Sequence, residues 1–180
     1  MKKKIIILDP YKKTNYRISK DTSGGYGTGN DFGHTIIPNI IKKKLKDSSD
    51  WPPLFAAYTH AVLSKKHEIN YKQINTINDL TDEEINKTDI FIIVSSIVCS
   101  ETEIEIIKKL NQLKKITIAI GPFATNLTKI YFNAGANVIK GEPELYFFNK
   151  DLDEISFDPK VLTSSKETDL NNLPYPLWNE

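Results

Sequence analysis

Four places in the chain set a pair of residues with ligand-binding chemistry directly after a run of strand-forming residues: Asp9-Pro10, Ser95-Ser96, Gly121-Pro122 and Gly141-Glu142. Serine hydroxyls and strand-end amides can hold a phosphate or a ribose, and a glycine lets a bulky ligand approach the backbone. In an open parallel sheet, ligands bind at the carboxyl ends of the strands, near the switch in strand order. Glycine and proline also end strands in α/β proteins with no ligand there, so each pair alone says little. Together they mark a ligand-binding sheet without naming the ligand.

Other chemistry is thinly represented. Cys99 is the single cysteine, which excludes a disulfide framework, a thiolate zinc site and a three-cysteine iron–sulfur motif. It reads as a buried structural thiol. His60 falls inside a helical pattern and reads as a surface or satisfied residue, and His67 reads as a cap ending that helix. Lys42-Lys43-Lys44 reads as the solvated face of a helix. Five of the eight glycines lie in Ser23-Gly24-Gly25-Tyr26-Gly27-Thr28-Gly29-Asn30-Asp31-Phe32-Gly33. A dinucleotide or phosphate-loop reading fails there, because the glycines do not join a strand directly to a helix and no Gly-Lys-Ser/Thr follows. A long loop after the first strand sits on the ligand edge, where it can serve as a lid or as plain surface.

The elements that would position these residues alternate between short strand-like runs and helical patterns, the mark of βαβ units and a parallel sheet. Ile5 to Leu8 is an unbroken apolar run, suited to a strand covered on both faces. Pro52-Pro53 opens a helix of about Leu54 to Lys65, with Leu54, Tyr58, Ala61 and Val62 on one face. Glu68 to Ile74 is a second strand, and Asp89 to Ser96 is the best strand in the chain. Thr81 to Glu84 and Ser100 to Glu103 both have capping-box spacing. The second box opens a helix with Ile104, Ile107 and Leu110 on one face. Ile116 to Ile120 is a fourth strand, Asn126 to Ala134 a helix stopped by Gly135, and Asn137 to Lys140 a short fifth strand. These elements predict a doubly wound, flavodoxin-like five-stranded parallel sheet of order 2-1-3-4-5. Residues 1–150 are expected to form this domain. Residues 151–180, where periodicity fades and prolines gather, read as a linker or docking tail.

Composition narrows the classes. The chain has 180 residues, 39% of them hydrophobic and 26% charged, within the range of globular domains. The net charge is +1 and Arg17 is the only arginine. No broad basic field exists, and arginine forks for bases or phosphates are limited to this one residue, so nucleic acid is not expected as a partner. The apolar run after Lys2-Lys3-Lys4 stops at Asp9, too short for an export signal or a membrane span. A cytoplasmic protein without a membrane partner is expected.

The order and wording of the motifs resemble the N-terminal cobalamin-binding domain of cobalamin-dependent radical S-adenosylmethionine proteins. Trp51-Pro52-Pro53-Leu54-Phe55-Ala56-Ala57-Tyr58 is similar to that family's proline-proline-leucine-glycine-leucine-alanine-tyrosine helix. Asp89 to Ser96 matches its strand ending in serines. Ile120-Gly121-Pro122-Phe123-Ala124-Thr125 is similar to its glycine-glycine-proline-histidine-alanine-threonine segment. Gly135-Ala136-Asn137 and Gly141-Glu142-Pro143-Glu144 follow in the family's order, and Leu173-Pro174-Tyr175-Pro176-Leu177-Trp178 is similar to the lead into its catalytic barrel. Ile120, Phe123 and Pro143 depart from the pattern.

The resemblance implies a domain that cradles the nucleotide tail of cobalamin at the strand ends and presents the corrin for methyl transfer or related radical chemistry. It also admits a vestigial form that keeps the shape without the cofactor. The resemblance implies that Ser95, Ser96, Gly121, Pro122, Gly141 and Glu142 line the tail pocket, and the strand-end rule adds Asp9 and Pro10, with no catalytic and no metal-ligating residue expected among them. No Asp-x-His-x-x-Gly motif is present, and Asp31-Phe32-Gly33-His34 has the wrong order, so cobalamin would bind without a histidine lower ligand. The iron–sulfur cluster and S-adenosylmethionine would belong to a radical S-adenosylmethionine barrel, joined in cis or as a split subunit, since Cys-x3-Cys-x2-Cys is absent here. The alternative is a flavodoxin-like interaction or signalling module, or a small nucleotide or flavin binder. A phosphoacceptor receiver is a poor match, because the third strand ends in Ser95-Ser96 where it would need an aspartate.

Overall fold

The computed structural model describes residues 2–12, 20, 53–165 and 169–177. The glycine-rich segment 23–33, His34 and Lys42-Lys43-Lys44 lie outside them. The described chain runs β1 (Lys4–Pro10), α1 (Leu54–Ser64), β2 (Glu68–Ile74), a 3-10 turn (Ile77–Asp79), α2 (Asp82–Lys87), β3 (Ile90–Val94), α3 (Ser100–Gln112), β4 (Ile116–Ile120), α4 (Pro122–Asn126), α5 (Thr128–Asn133), β5 (Asn137–Lys140), α6 (Pro143–Lys150), β6 (Val161–Thr163) and a last 3-10 turn (Leu170–Asn172). One all-parallel sheet has the order β2-β1-β3-β4-β5-β6. The fold is α/β and of the flavodoxin-like kind, with six strands where the sequence predicts five.

The apolar runs become central strands because both faces of the sheet are covered. Side chains alternate across a strand, so Ile6 and Leu8 of β1, Phe91 and Ile93 of β3, Ala119 of β4 and Val138 of β5 join one core with Ile106, Ile107 and Leu110 of α3 and Tyr131 of α5. Ile5 and Ile7, Ile90, Ile92 and Val94, Ile118 and Ile120, and Ile139 join the other core, with Ala56, Val62 and Leu63 of α1 and Tyr146 and Phe147 of α6. Such double coverage suits continuous Val/Ile/Leu runs and would be wasted on alternating ones.

Several local expectations change in the folded chain. The sixth strand falls in the expected tail, where Val161 to Thr163 pair with Val138 to Lys140. Leu152 and Ile155 pack against the sheet, and the Leu177 amide donates to the Ala57 carbonyl at 3.3 Å, along α1. A three-residue strand carries too little periodicity to stand out. Helix α1 buries Ala56, Ala57, Thr59, Ala61, Val62 and Leu63, whereas Leu54 is exposed and Tyr58 half-buried. Ala61 and Val62 are buried as expected, and the rest of the buried face is turned because α1 packs on α6 as well as on the sheet, where alanines allow a close approach. The expected helix from Asn126 to Ala134 is two short helices, α4 and α5, broken at Leu127. Proline at the start of α4 begins the helix earlier, and the Thr128 hydroxyl donates to the Ala124 and Thr125 carbonyls, a side-chain bond that competes with helix continuation. The Thr81 box forms as expected.

His67 does not cap α1 with its side chain. Its Nδ1 accepts from the Lys3 amide at 3.2 Å and its Nε2 faces Asp151 Oδ1 at 2.9 Å. It thereby ties the start of β1 to the end of α6. His60 reaches only the Ile69 carbonyl, at 3.4 Å.

Gly135, between α5 and β5, has φ +99°, and a Cβ there would lie 2.3 Å from the Asn111 side-chain nitrogen, which itself donates to the Ala134 carbonyl. Gly135→Ala is therefore expected to lower the unfolding free energy by about 1–3 kcal/mol, measured by urea denaturation. Retention of the wild-type midpoint would contradict this placement.

Candidate functional site

Strand order switches at β1 and β3, which run side by side with β2 beyond one and β4 beyond the other, so the carboxyl ends of β1 and β3 are where a ligand is expected. The chain fills that place with its own charges. Lys20, 1% exposed, lies above Val94. Its Nζ donates to the Val94 carbonyl at 2.8 Å and to Glu103 Oε1 at 3.2 Å. Asp9 Oδ1 is 2.9 Å from the same nitrogen, an ionic contact off the hydrogen-bonding direction. The ammonium also stands 5.1 Å from the centre of the Tyr11 ring, within cation–π range.

Both carboxylates are held from behind. Asp9 Oδ2 accepts from the Tyr11 hydroxyl at 2.8 Å and the Tyr71 hydroxyl at 2.6 Å. Glu103 accepts from the Ser96 hydroxyl at 2.9 Å, from the Ser96 amide at 3.2 Å and from the Tyr131 hydroxyl. Burial by itself lowers the Lys20 pKa, but Asp9 and Glu103 outweigh it and hold the ammonium above its ordinary value. Burial pushes the Glu103 carboxyl up, against the pull of Lys20. It also drives the Tyr71 and Tyr131 phenols upward, with Asp9 and Glu103 adding to the rise in turn. The Cys99 thiol is buried beside Tyr11 and raised by that burial.

The expected pocket residues fall into three groups. Asp9 and Ser96 meet through Lys20 and Glu103, with Pro10 buried next to Asp9. Ser95 and Gly121 form a second group. The Ser95 hydroxyl accepts from the Ala124 amide at 2.9 Å, at the first turn of α4 after Pro122. Gly121 has φ +106°, and a Cβ there would lie 2.8 Å from Phe55 Cζ. Gly141 and Glu142 form the third: the Gly141 amide donates to Thr125 Oγ1 at 3.1 Å and the Glu142 amide to Ser164 Oγ at 3.1 Å, while the Glu142 side chain is exposed.

These residues do not fit a cobalamin tail as they stand. Ser95 and Ser96 are fully buried, with their hydroxyls committed to Ala124 and Glu103. The open approach that a glycine at position 121 would offer is taken by the Phe55 ring. Among the described residues no group of three or more His, Cys, Asp or Glu is placed to hold a metal ion, and no helix is long and apolar enough to cross a membrane. No family model, curated protein or solved structure matches the chain.

Lys20, Glu103, Tyr11, Tyr71 and Tyr131 are absent from the expected site. Glu103 had a legible signal: it precedes Ile106, Ile107 and Leu110 at helical spacing, so it shares their buried stripe. The capping-box reading of Ser100–Glu103 is corrected accordingly. The N-cap of α3 is Cys99, with no side-chain cap bond, because the Glu103 carboxylate turns inward to Ser96 and Lys20. Phe55 was visible as well, standing where the resembling motif has glycine. Lys20 carried no signal, since no periodicity surrounds it.

Glu144, in the first turn of α6, has one carboxylate oxygen without a hydrogen-bond partner. Burial pushes its carboxyl up to about 7, against a backbone hydrogen bond, with the charge of Glu142 adding to the rise.

Two outcomes follow from these placements. Glu103→Ala leaves Lys20 with one carboxylate and strands Ser96 and Tyr131, so a loss of about 3–5 kcal/mol is expected in urea unfolding. Glu105→Ala, which removes only an exposed pair with Lys109, should leave the midpoint in place. Glu144 binds its proton more tightly folded than unfolded. Its contribution is complete below the ordinary value of 4.5 and is lost as pH rises to about 7. Thermal midpoints of Glu144→Gln measured from pH 4.5 to 7.5 should therefore lack a fall that the parent shows across that window.

Proposed function

We propose that this chain is a vestigial cobalamin-binding-like domain of a radical S-adenosylmethionine protein, a flavodoxin-like unit that keeps the family's architecture and docks the catalytic barrel without carrying the corrin. The motif series from Trp51 to Trp178 supports the family. One observation carries the vestigial form: the Phe55 ring takes the space over Gly121, on the strand end where a cofactor tail would need the glycine bare. The inward-turned hydroxyls of Ser95 and Ser96 support the same reading. The domain's contribution is then shape and surface, with methyl transfer or related radical chemistry belonging to the barrel.

Incubation with hydroxocobalamin, followed by desalting and a visible spectrum, tests this reading. The parent chain is expected to retain no corrin absorbance; retention near one equivalent overturns the vestigial form. A Cys-x3-Cys-x2-Cys motif in the same coding sequence or in an adjacent one is expected, and its absence from both would remove the family reading.

A further inference from the structure

The cradle around the Lys20 ammonium is built wholly from other elements. Val94 comes from the end of β3, Asp9 from β1 and Glu103 from α3, and the lysine reaches in from a residue outside all three. An alkylammonium has three N–H donors and no acceptor, and here three oxygens lie 2.8, 2.9 and 3.2 Å from Nζ. The cradle's own groups are fixed by partners that do not involve the lysine: Tyr11 and Tyr71 hold Asp9 Oδ2, and Ser96 and Tyr131 hold Glu103. A recognition site is made in this way, with the contacting atoms locked by a supporting layer.

Charge and position agree with that reading. Two buried carboxylates face one cation, so an empty cradle would leave uncompensated negative charge in an apolar surround. Among the described residues, the titratable groups that act on Nζ are Asp9, Glu103, Cys99 and the Tyr11 ring, with Tyr71 and Tyr131 behind the two carboxylates, and none of these is a second cation. The cradle also sits at the crevice where doubly wound sheets place their ligands.

We propose that the Asp9–Glu103–Val94 cradle is a binding site for primary alkylammonium compounds, with Lys20 as its tethered occupant, and that a free primary amine exchanges for the lysine side chain. The site is independent of the corrin reading, since it uses neither Phe55 nor Gly121, and either can fail without the other.

Lys20→Ala removes three methylenes and the ammonium, a gap that n-propylammonium matches. At ten times its Kd, n-propylammonium should raise the thermal midpoint of Lys20→Ala saturably by about 3–6 °C. Tetramethylammonium, which has no N–H, should not, and Lys20→Met, whose stem fills the gap, should not respond to either. In the parent chain, the buried Lys20 ammonium should give a slowly exchanging 15N signal, identified by its loss in Lys20→Ala. That signal should fade as n-propylammonium is added, while those of exposed lysines persist. The proposal is overturned if Lys20→Ala does not respond, if tetramethylammonium serves equally well, or if the Lys20 signal is indifferent to the amine. Should Lys20→Ala not fold, Lys20→Met identifies the signal and the titration of the parent chain decides alone.

Discussion

A buried ammonium cannot be left unpaired, and the carboxyl end of this sheet is organised around that requirement. An isolated charge in an apolar interior is prohibitively costly, and each carboxylate brought to neutralise it must itself be hydrogen-bonded. Lys20 thus calls for Asp9 and Glu103, Asp9 calls for Tyr11 and Tyr71, and Glu103 calls for Ser96 and Tyr131. The chain of partners runs through β1, β2, β3, α3 and α5. It links elements of both cores at one edge of the sheet, where hydrophobic packing alone would leave strand ends open. Directional bonds of this kind fix geometry more than they add stability, since apolar replacements of buried pairs are often neutral or favourable.

The same network explains why the strand ends are closed. Residue types that could hold a phosphate or a ribose face inward because the interior needs them: Ser96 serves Glu103, and Ser95 receives the Ala124 amide at the start of α4. Phe55 then covers Gly121, using the glycine's missing side chain as space for its ring. At the far side of the sheet, His67 and Lys66 hold Asp151, whose backbone has φ +53°. Burial would raise that carboxyl, but the hydrogen bonds from His67 and Lys66 hold it below its ordinary range.

Much of the architecture was legible along the chain. The runs Ile5–Leu8, Ile90–Val94 and Ile116–Ile120 are apolar at every or nearly every position, which only a strand covered on both faces requires. The Thr81–Glu84 box named its helix start correctly, because its bonds are local. Local chemistry misled where a distant partner competed for the same group. Glu103 has the spacing of a cap and the position of a core residue, and the core, with Lys20 and Tyr131 waiting in it, took the carboxylate. Leu54 and Tyr58 of α1 were misplaced on the buried face for a related reason, since α6 presses on the helix from a side that helical periodicity does not reveal.

The sequence by itself determined the α/β class, the alternation of strands and helices as far as β5 and the residues that close those strands, because hydrophobic periodicity and turn chemistry act over a few neighbouring positions. Only the tertiary structure decided that Asp9, Ser95 and Ser96 are buried, that Val161–Thr163 extends the sheet, and that Lys20 occupies the crevice. Each of these depends on groups far apart in sequence. Lys20 and Glu103 are 83 positions apart, and Gly121 and Phe55 meet across the domain. Which partner a buried polar group finds is settled by packing, and packing has no local signature.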